Sequence, residues 1–464
     1  MQKIPTEFKE KYNKLLGEKE AAKFFKAIEA EDKTKGFRLN SLKNGFKDVA
    51  YPLDSRVPFT ENGYYGTASG KDSEWLAGKV YSQDPSAMYP AEAAQIKPGE
   101  VVLDLCAAPG GKSTALVEKL QGKGTLVANE ISTARAKILR ENLERWGAVN
   151  SVITNENPAR LVDNFKNFFD KIVVDAPCSG EGMFRKEPDA IKYWSQEYVL
   201  TCQSRQKEIL NSAVEMLKPG GMLVYSTCTY APEEDEEIVS WLVENYDFKI
   251  LPLKHYPGMS AGQPEWGDEQ ENLKNTVRMW FQNGIGEGQF VSLLQKPGEL
   301  PKEEKEKKKK RKKEKIKSSF EKIDKKEVEL IKKVLDKFNL PTEMENWEKK
   351  TIKRNDHVVF PALNPVLLKG LHVLNNGVEL GLLKKNRFEP SHALAEVLGQ
   401  KPQTEEIKLN EEEFKKFVHG ESIKLTDNQL RGFVLVSYQG NIFSFGKVGG
   451  DNILKNFYPK GLRK

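Results

Sequence analysis

Between residues 76 and 298 short apolar runs alternate with helical patterns, and strands joined this way must lie parallel. Val101-Val102-Leu103-Asp104-Leu105-Cys106 is one such run, and it stops at Ala107-Ala108-Pro109-Gly110-Gly111. A helix is predicted over Lys112–Gln121, halted by Gly122-Lys123-Gly124. Further strands are predicted over Thr125–Glu130, Ser151–Thr154, Lys171–Asp175 and Met222–Thr227. Between them, Ser132 can cap a helix reaching to about Trp146, and Thr201–Leu217 forms another. Pro232 opens the next helix at a first-turn position, where acidic Glu233–Glu237 suit its positive end. Strands near 277–281 and 290–295 close the unit. Crossover helices cover both faces of such a sheet, which makes the fold class α/β.

The flanks have a different texture. Residues 1–75 read as a small α+β region, with helices over Glu7–Leu16 and Lys19–Glu29 and an extended segment from Gly36 to Lys43. Residues 299–320 read as a charged linker. Within it, residues 302–317 hold 11 Lys/Arg against 4 Glu, a local +7 in a chain of net +6, so the remainder sits at −1. Such a block keeps domains apart and attracts phosphate backbones without reading sequence. Residues 321–464 form a C-terminal accessory region. Its expected elements are a helix over Glu321–Asn339, a hairpin of Leu371–Asn375 and Val378–Leu383 across Asn376-Gly377, a helix over Ser391–Leu398, and a hairpin of Phe433–Tyr438 and Ile442–Val448. Four cysteines without a C-x-x-C pair argue against a disulfide framework or a metal site. The first residues lack the apolar core of a secretory signal, and no apolar run approaches a membrane span, so a cytoplasmic chain is expected.

The turn after Asp104 constrains the ligand. A P-loop needs glycine five residues before Gly111, and that position is Cys106. The dinucleotide spacing G-x-G-x-x-G also fails. What remains is a strand ending in an acid, small residues that let backbone approach a ligand, and a helix start. Glu130 closes the next strand, where an acid can accept both ribose hydroxyls. This suits a nucleoside cofactor with little phosphate better than ATP.

Cys178, in Asp175-Ala176-Pro177-Cys178-Ser179-Gly180, and Cys228, in Ser226-Thr227-Cys228-Thr229, each follow the end of a predicted strand. Ligands of open α/β sheets bind at those ends. Cys202 lies within a helix and reads as packing, as does Cys106 beside the cofactor. A poised thiol beside a nucleoside cofactor suits methyl transfer to carbon 5 of cytosine. Thiolate attack on carbon 6 activates carbon 5, which takes a methyl group from a sulfonium donor; a base then removes the proton at carbon 5, and the thiol leaves. A second thiol can act as that base or assist release, and Asp175 is a candidate for an acid contact near ring nitrogen 3. The base must be single-stranded or flipped out.

The runs Asp104–Lys112, Asp175-Ala176-Pro177-Cys178-Ser179-Gly180-Glu181-Gly182 and Ser226-Thr227-Cys228-Thr229 resemble the Nol/Nop/Sun family of RNA (cytosine-5) methyltransferases. Phe37-Arg38-Leu39-Asn40 and Tyr81–Met88 match that family's lead-in. The resemblance implies a Rossmann-like sheet using S-adenosyl-L-methionine. It implies Cys228 as nucleophile, Cys178 as the residue assisting release, and cofactor contacts on Cys106, Ala107, Ala108, Pro109, Gly110, Gly111, Lys112, Glu130 and Asp175. The family places an acid after the third strand, where this chain has Asn155-Glu156-Asn157, and Asn157 is the counterpart by spacing. Phe388–Ala395 and Gly446–Arg463 are similar to the bacterial 16S rRNA methyltransferase F group, which ends in a PUA-like RNA-binding module. The implied partner is 16S rRNA near the decoding region, free or within the small ribosomal subunit, with no membrane and no metal. Arg38, Lys186, Lys460 and Arg463 are candidate RNA contacts, distributed over an N-terminal RNA-binding region (1–75), a methyltransferase domain (76–298) and the C-terminal module. The same chemistry on tRNA or another rRNA site, and a noncatalytic RNA-binding assembly factor, are the alternatives.

Overall fold

The computed structural model describes residues 4–30, 33–187, 189–300, 320–426 and 428–463. Residues 301–319, most of the charged segment, lie outside the described residues, as does Lys464. The centre is a ten-stranded sheet. Its parallel part comprises β1 (Val101–Asp104), β2 (Thr125–Asn129), β3 (Ser151–Thr154), β4 (Phe169–Asp175) and β5 (Leu217–Thr227). They lie in the order β5-β4-β1-β2-β3. Antiparallel β6 (Gln289–Gln295) extends the sheet beyond β5. Val102 packs on one face and Leu103 on the other, so the strands are apolar throughout and each face carries its own core. The crossing helices are α1 (Gly111–Leu120), α2 (Thr133–Trp146), α3 (Pro158–Phe165), α4 (Gln196–Met216) and α5 (Glu236–Tyr246).

Several local expectations are revised. Ser132 occupies the position before α2, yet its side chain makes no capping bond; its N–H donates to Glu130 Oε1 at 2.8 Å instead. Helix α4 begins at Gln196, five residues earlier than the spacing predicts, because Ser195 accepts a bond from Tyr198 N. Pro232 opens a 3-10 turn, and the α-helix starts at Glu236. The acids there are not a solvated complement to a helix dipole. Glu234, Asp235 and Glu236 are fully buried, and the latter two hold the buried Arg278, with its Nε 2.7 Å from Glu236 Oε1. Thr227 donates to Asp235 at 2.6 Å, which fixes the end of β5.

The expected hairpin across Asn376-Gly377 does not form. Val373–Asn376, here β7, pairs antiparallel with β3 at the edge of the central sheet. Val378–Lys384 pairs with His357–Phe360 and Arg387–Pro390 in a separate five-stranded sheet. Gly377, at φ +81°, turns the chain from one sheet into the other, where a Cβ would sit 2.1 Å from the Phe360 carbonyl. The signal for a turn is genuine, but tertiary partners split its two arms. The helix predicted from Glu321 is confined to Lys325–Leu335, and Glu321–Lys322 is a strand. The hairpin of Gly432–Tyr438 and Asn441–Val448 forms, in a second five-stranded sheet.

At the other end, helices Thr6–Leu16 and Glu18–Glu29 pack Phe8, Tyr12 and Phe24 against Trp194, Tyr230 and Trp280. A three-stranded sheet of Gly36–Leu39, Gly63–Tyr65 and Val80–Ser82 follows. No helix among the described residues is long and apolar enough to cross a membrane.

Candidate active site

The turn after β1 is tied to both neighbouring strands. Leu105 N donates to Val173 O and Ala107 N to Asn129 O, tying it to β4 and β2. Gly110, at φ +115°, turns the chain into α1. Asp104 is wholly buried and accepts from Ser113 Oγ at 2.6 Å, and burial pushes its pKa up to about 7. Its Oδ1 has no hydrogen-bond partner among the described residues.

A cavity of about 790 Å³ opens at the carboxyl ends of these strands. The predicted residues Cys106, Ala108, Glu130, Asn157, Asp175, Cys178 and Cys228 all line it. Ala107, Pro109, Gly110, Gly111 and Lys112 are not among its lining residues, although Lys112 touches the lining by donating to Asp175 Oδ2 at 2.6 Å. Asn157 spends its side-chain oxygen capping α3 through Ala159 N. Arg205, Glu208, Ile209 and Ser212 complete the wall from α4 and were missed by motif reading. Their i, i+3, i+4, i+7 spacing marks one helix face, but a mixed polar face reads in sequence as solvated surface. Arg135 and Met183 also line the cavity.

The two thiols meet because of strand register. Asp175 lies opposite Ser226 on β4 and β5, so the chains after them leave the sheet together. Cys178 Sγ and Cys228 Sγ are 3.4 Å apart. The hydrogen bond to Cys228, reinforced by burial, pushes the Cys178 thiol well up. Burial raises Cys106 as well, and Cys202 up to about 11, in keeping with packing roles. Gly182 N donates to Cys228 O at 2.8 Å, and a Cβ at Gly182 would sit 2.6 Å from that oxygen, so only glycine lets the loops touch. Ser179 N and Gln206 Nε2 both donate to the buried Glu234, fixing the other side of Cys178. Glu181 accepts from Tyr12 Oη, Trp194 Nε1 and Tyr230 N, joining the N-terminal helices to the thiol loop. Asp175 accepts from Lys112, from Ser226 Oγ at 2.7 Å and from Gln289 Nε2 at 3.0 Å.

The sequence and fold around this cavity have counterparts among known proteins. Residues 91–295 match the family described as 16S rRNA methyltransferase RsmB/F. The chain is 32% identical to the ribosomal RNA small subunit methyltransferase F of Vibrio parahaemolyticus serotype O3:K6, over 99% of this chain and 97% of that protein. The chain belongs to the 16S rRNA methyltransferase F family. Residues 4–85 match that methyltransferase's N-terminal domain, 335–398 its first C-terminal domain and 404–464 its PUA domain. A methyltransferase homolog from Pyrococcus horikoshii is 34% identical with a TM-score of 0.55, covering 62% of this chain and 94% of its own. NSun6 from Pyrococcus horikoshii with SFG, at 20% identity and a TM-score of 0.56, covers 64% of this chain and 99% of its own and shares the fold.

In this RNA methyltransferase the four candidate RNA contacts separate. Arg38 is only 4% exposed, so it is not a surface RNA contact. Its guanidinium donates to Gln83 Oε1, Gly111 O and Thr114 Oγ1 and pairs with Glu118, clamping the start of α1. Lys186 is about one third exposed, 3.1 Å from Asp84 Oδ2 and three residues past cavity-lining Met183. Lys460 is exposed in the PUA domain, and Arg463 donates to Tyr458 O.

Proposed function

We propose that this chain transfers a methyl group to carbon 5 of a cytosine in 16S rRNA near the decoding region, through a covalent Cys228–cytosine intermediate, in the cytoplasm. The observation that carries the reading is the 3.4 Å approach of Cys178 and Cys228 at the wall of the strand-end cavity.

The cavity fits S-adenosyl-L-methionine. Glu130, 3% exposed and held by Ser132 N, faces it from the end of β2, where a ribose needs an acceptor. Cys106, Ala107, Ala108, Pro109, Gly110, Gly111 and Lys112 form the turn beside it, with Asn157 and Asp175 closing the two sides. S-adenosyl-L-methionine bound there supplies an electrophilic methyl group. Cys228 adds to carbon 6 of the cytosine, and carbon 5 becomes nucleophilic. Asp175 already accepts three hydrogen bonds, and a carboxylate has capacity for a fourth. The cytosine exocyclic amine is the donor that fits, and Lys112 lies beside it to offset charge gathering on the ring. Once carbon 5 carries the methyl group, a base takes the carbon 5 proton, the electrons of that bond remake the carbon 5–carbon 6 double bond, and the carbon 6–sulfur bond breaks; Cys178, kept as a thiol, protonates the leaving Cys228 sulfur, which frees the RNA.

Bisulfite sequencing of 16S rRNA tests this in cells carrying the wild-type chain, Cys228→Ala or no copy. One protected cytosine should appear with the wild type alone. Equal protection with Cys228→Ala would refute the nucleophile, and no protected site in 16S rRNA would refute the substrate.

A further inference from the structure

A second cavity, of about 770 Å³, lies outside the thiol site. The strands Ile352–Arg354 and His357–Phe360 form one wall, and the segment from Pro365 to Asn376 forms the other. It therefore sits where the first C-terminal domain meets the strand that this half of the chain lends to the central sheet.

Its chemistry is one-sided. Glu379 is the one carboxylate among the described residues lining it, and His357 Nδ1 already engages that group at 2.6 Å. Arg354 and Lys369 are exposed lining residues, and among the described residues neither has a carboxylate within 4.0 Å. Asp356 is close in sequence but outside the lining. The half-buried Phe320 ring faces the same space, with the Arg354 guanidinium 6.0 Å from its centre. Asn355 and Asn375 add side-chain amides. Uncompensated cations, an aromatic face and amides are the groups that hold phosphates, stack bases and read base edges.

Position supplies the second argument. His372, at one end of the groove, donates through its N–H to Glu156 Oε1 at 2.7 Å and accepts from Asn155 N at 2.9 Å. Asn157 lines the thiol cavity. One end of the groove is thus bonded to the Asn155–Asn157 segment, whose last residue lines the thiol cavity.

We propose that this groove binds a single-stranded segment of the RNA substrate next to the target nucleotide. The inference rests on the RNA-methyltransferase reading above and adds a subsite outside both the catalytic cavity and the PUA domain. Arg354 and Lys369 take successive phosphates, and Phe320 stacks a base. A flat apolar protein interface would not hold two cations that have no acidic partner among the described residues.

The test uses the full chain and a fluorescein-labelled single-stranded fragment of 16S rRNA carrying, unmethylated, the cytosine that bisulfite sequencing identifies as the target. Binding is followed by anisotropy across a salt series, and methyl transfer to the same fragment gives kcat and KM. In the Arg354→Ala/Lys369→Ala variant, the slope of log affinity against log salt should fall by about 1.4, roughly 0.7 for each lost single-strand phosphate contact. KM for RNA should rise about tenfold or more with kcat unchanged. Phe320→Ala should weaken binding roughly fivefold or more without altering the salt slope. These side chains are partly or wholly exposed, so an unchanged melting curve certifies the fold of each variant. Unaltered slope and KM in both variants, with wild type binding the fragment, would overturn the groove alone. A wild-type chain that neither binds nor methylates the fragment would overturn the underlying RNA reading as well.

Discussion

In an Asp104→Asn variant the buried carboxyl at the end of β1 becomes a neutral amide of the same shape. The wild-type group is fully buried, with Ser113 Oγ on one oxygen and no partner among the described residues on the other. Burial is the largest cause lifting its pKa from 3.8 to about 7. A raised folded-state pKa contributes stability that is complete below the unfolded value and is lost as pH climbs through the folded one. Between pH 5 and 7 that loss spans about two units at 1.36 kcal/mol each, so roughly 3 kcal/mol. The variant has no proton to lose there. Thermal melting of both proteins without cofactor, at pH 5 and at pH 7.5, isolates the difference because every other titrating group is shared. At about 2–4 °C per kcal/mol for a unit of 150–250 residues, the variant should gain roughly 6–12 °C on the wild type over that interval. Parallel melting temperatures across the pH range would refute the claim that a desolvated acid sits at the end of this strand. A destabilising charge kept at a strand end is the kind of trade a binding site makes.

Three further outcomes follow from named contacts. Cys178→Ala should accumulate a covalent RNA–protein adduct, since attack by Cys228 survives while release stalls, and a shifted band on a denaturing gel after incubation with RNA and S-adenosyl-L-methionine reads it out. Lys43 Nζ lies 2.8 Å from Glu396 Oε2 with both side chains buried, and burial pushes the Glu396 carboxyl up to about 7 even with its partner present. Lys43→Met should therefore destabilise the protein by roughly 3–5 kcal/mol, whereas Lys43→Met/Glu396→Leu should recover most of that in urea titrations. Glu181→Ala removes the acceptor for Tyr12, Trp194 and Tyr230 N, so proteolysis should release residues 4–30 far faster than in wild type, with methyl transfer falling in parallel.

What the chain announces on its own is the chemistry written contiguously. Asp104–Lys112, the Pro177-Cys178 turn and the Thr227-Cys228 turn are local motifs, and the apolar runs before them can only be strands of a covered parallel sheet. From these the α/β fold, the cavity wall of Cys106, Ala108, Glu130 and Asp175, and the pairing of two thiols with one site were legible. The PUA domain was legible from its terminal motif in the same way. Distances were not. The 3.4 Å between the sulfurs depends on the register of Asp175 against Ser226, which is set by two strands 51 residues apart in sequence. Arg38 looked like a surface cation because charge says nothing of burial, and only packing turned it into the clamp on Gly111. Gly377 marked a turn correctly, but whether its arms pair with each other or with β3 and His357–Phe360 is decided by which edges lie nearby. Sequence carries what is local in the chain; partners far apart in it are chosen by the free energy of the whole packed molecule.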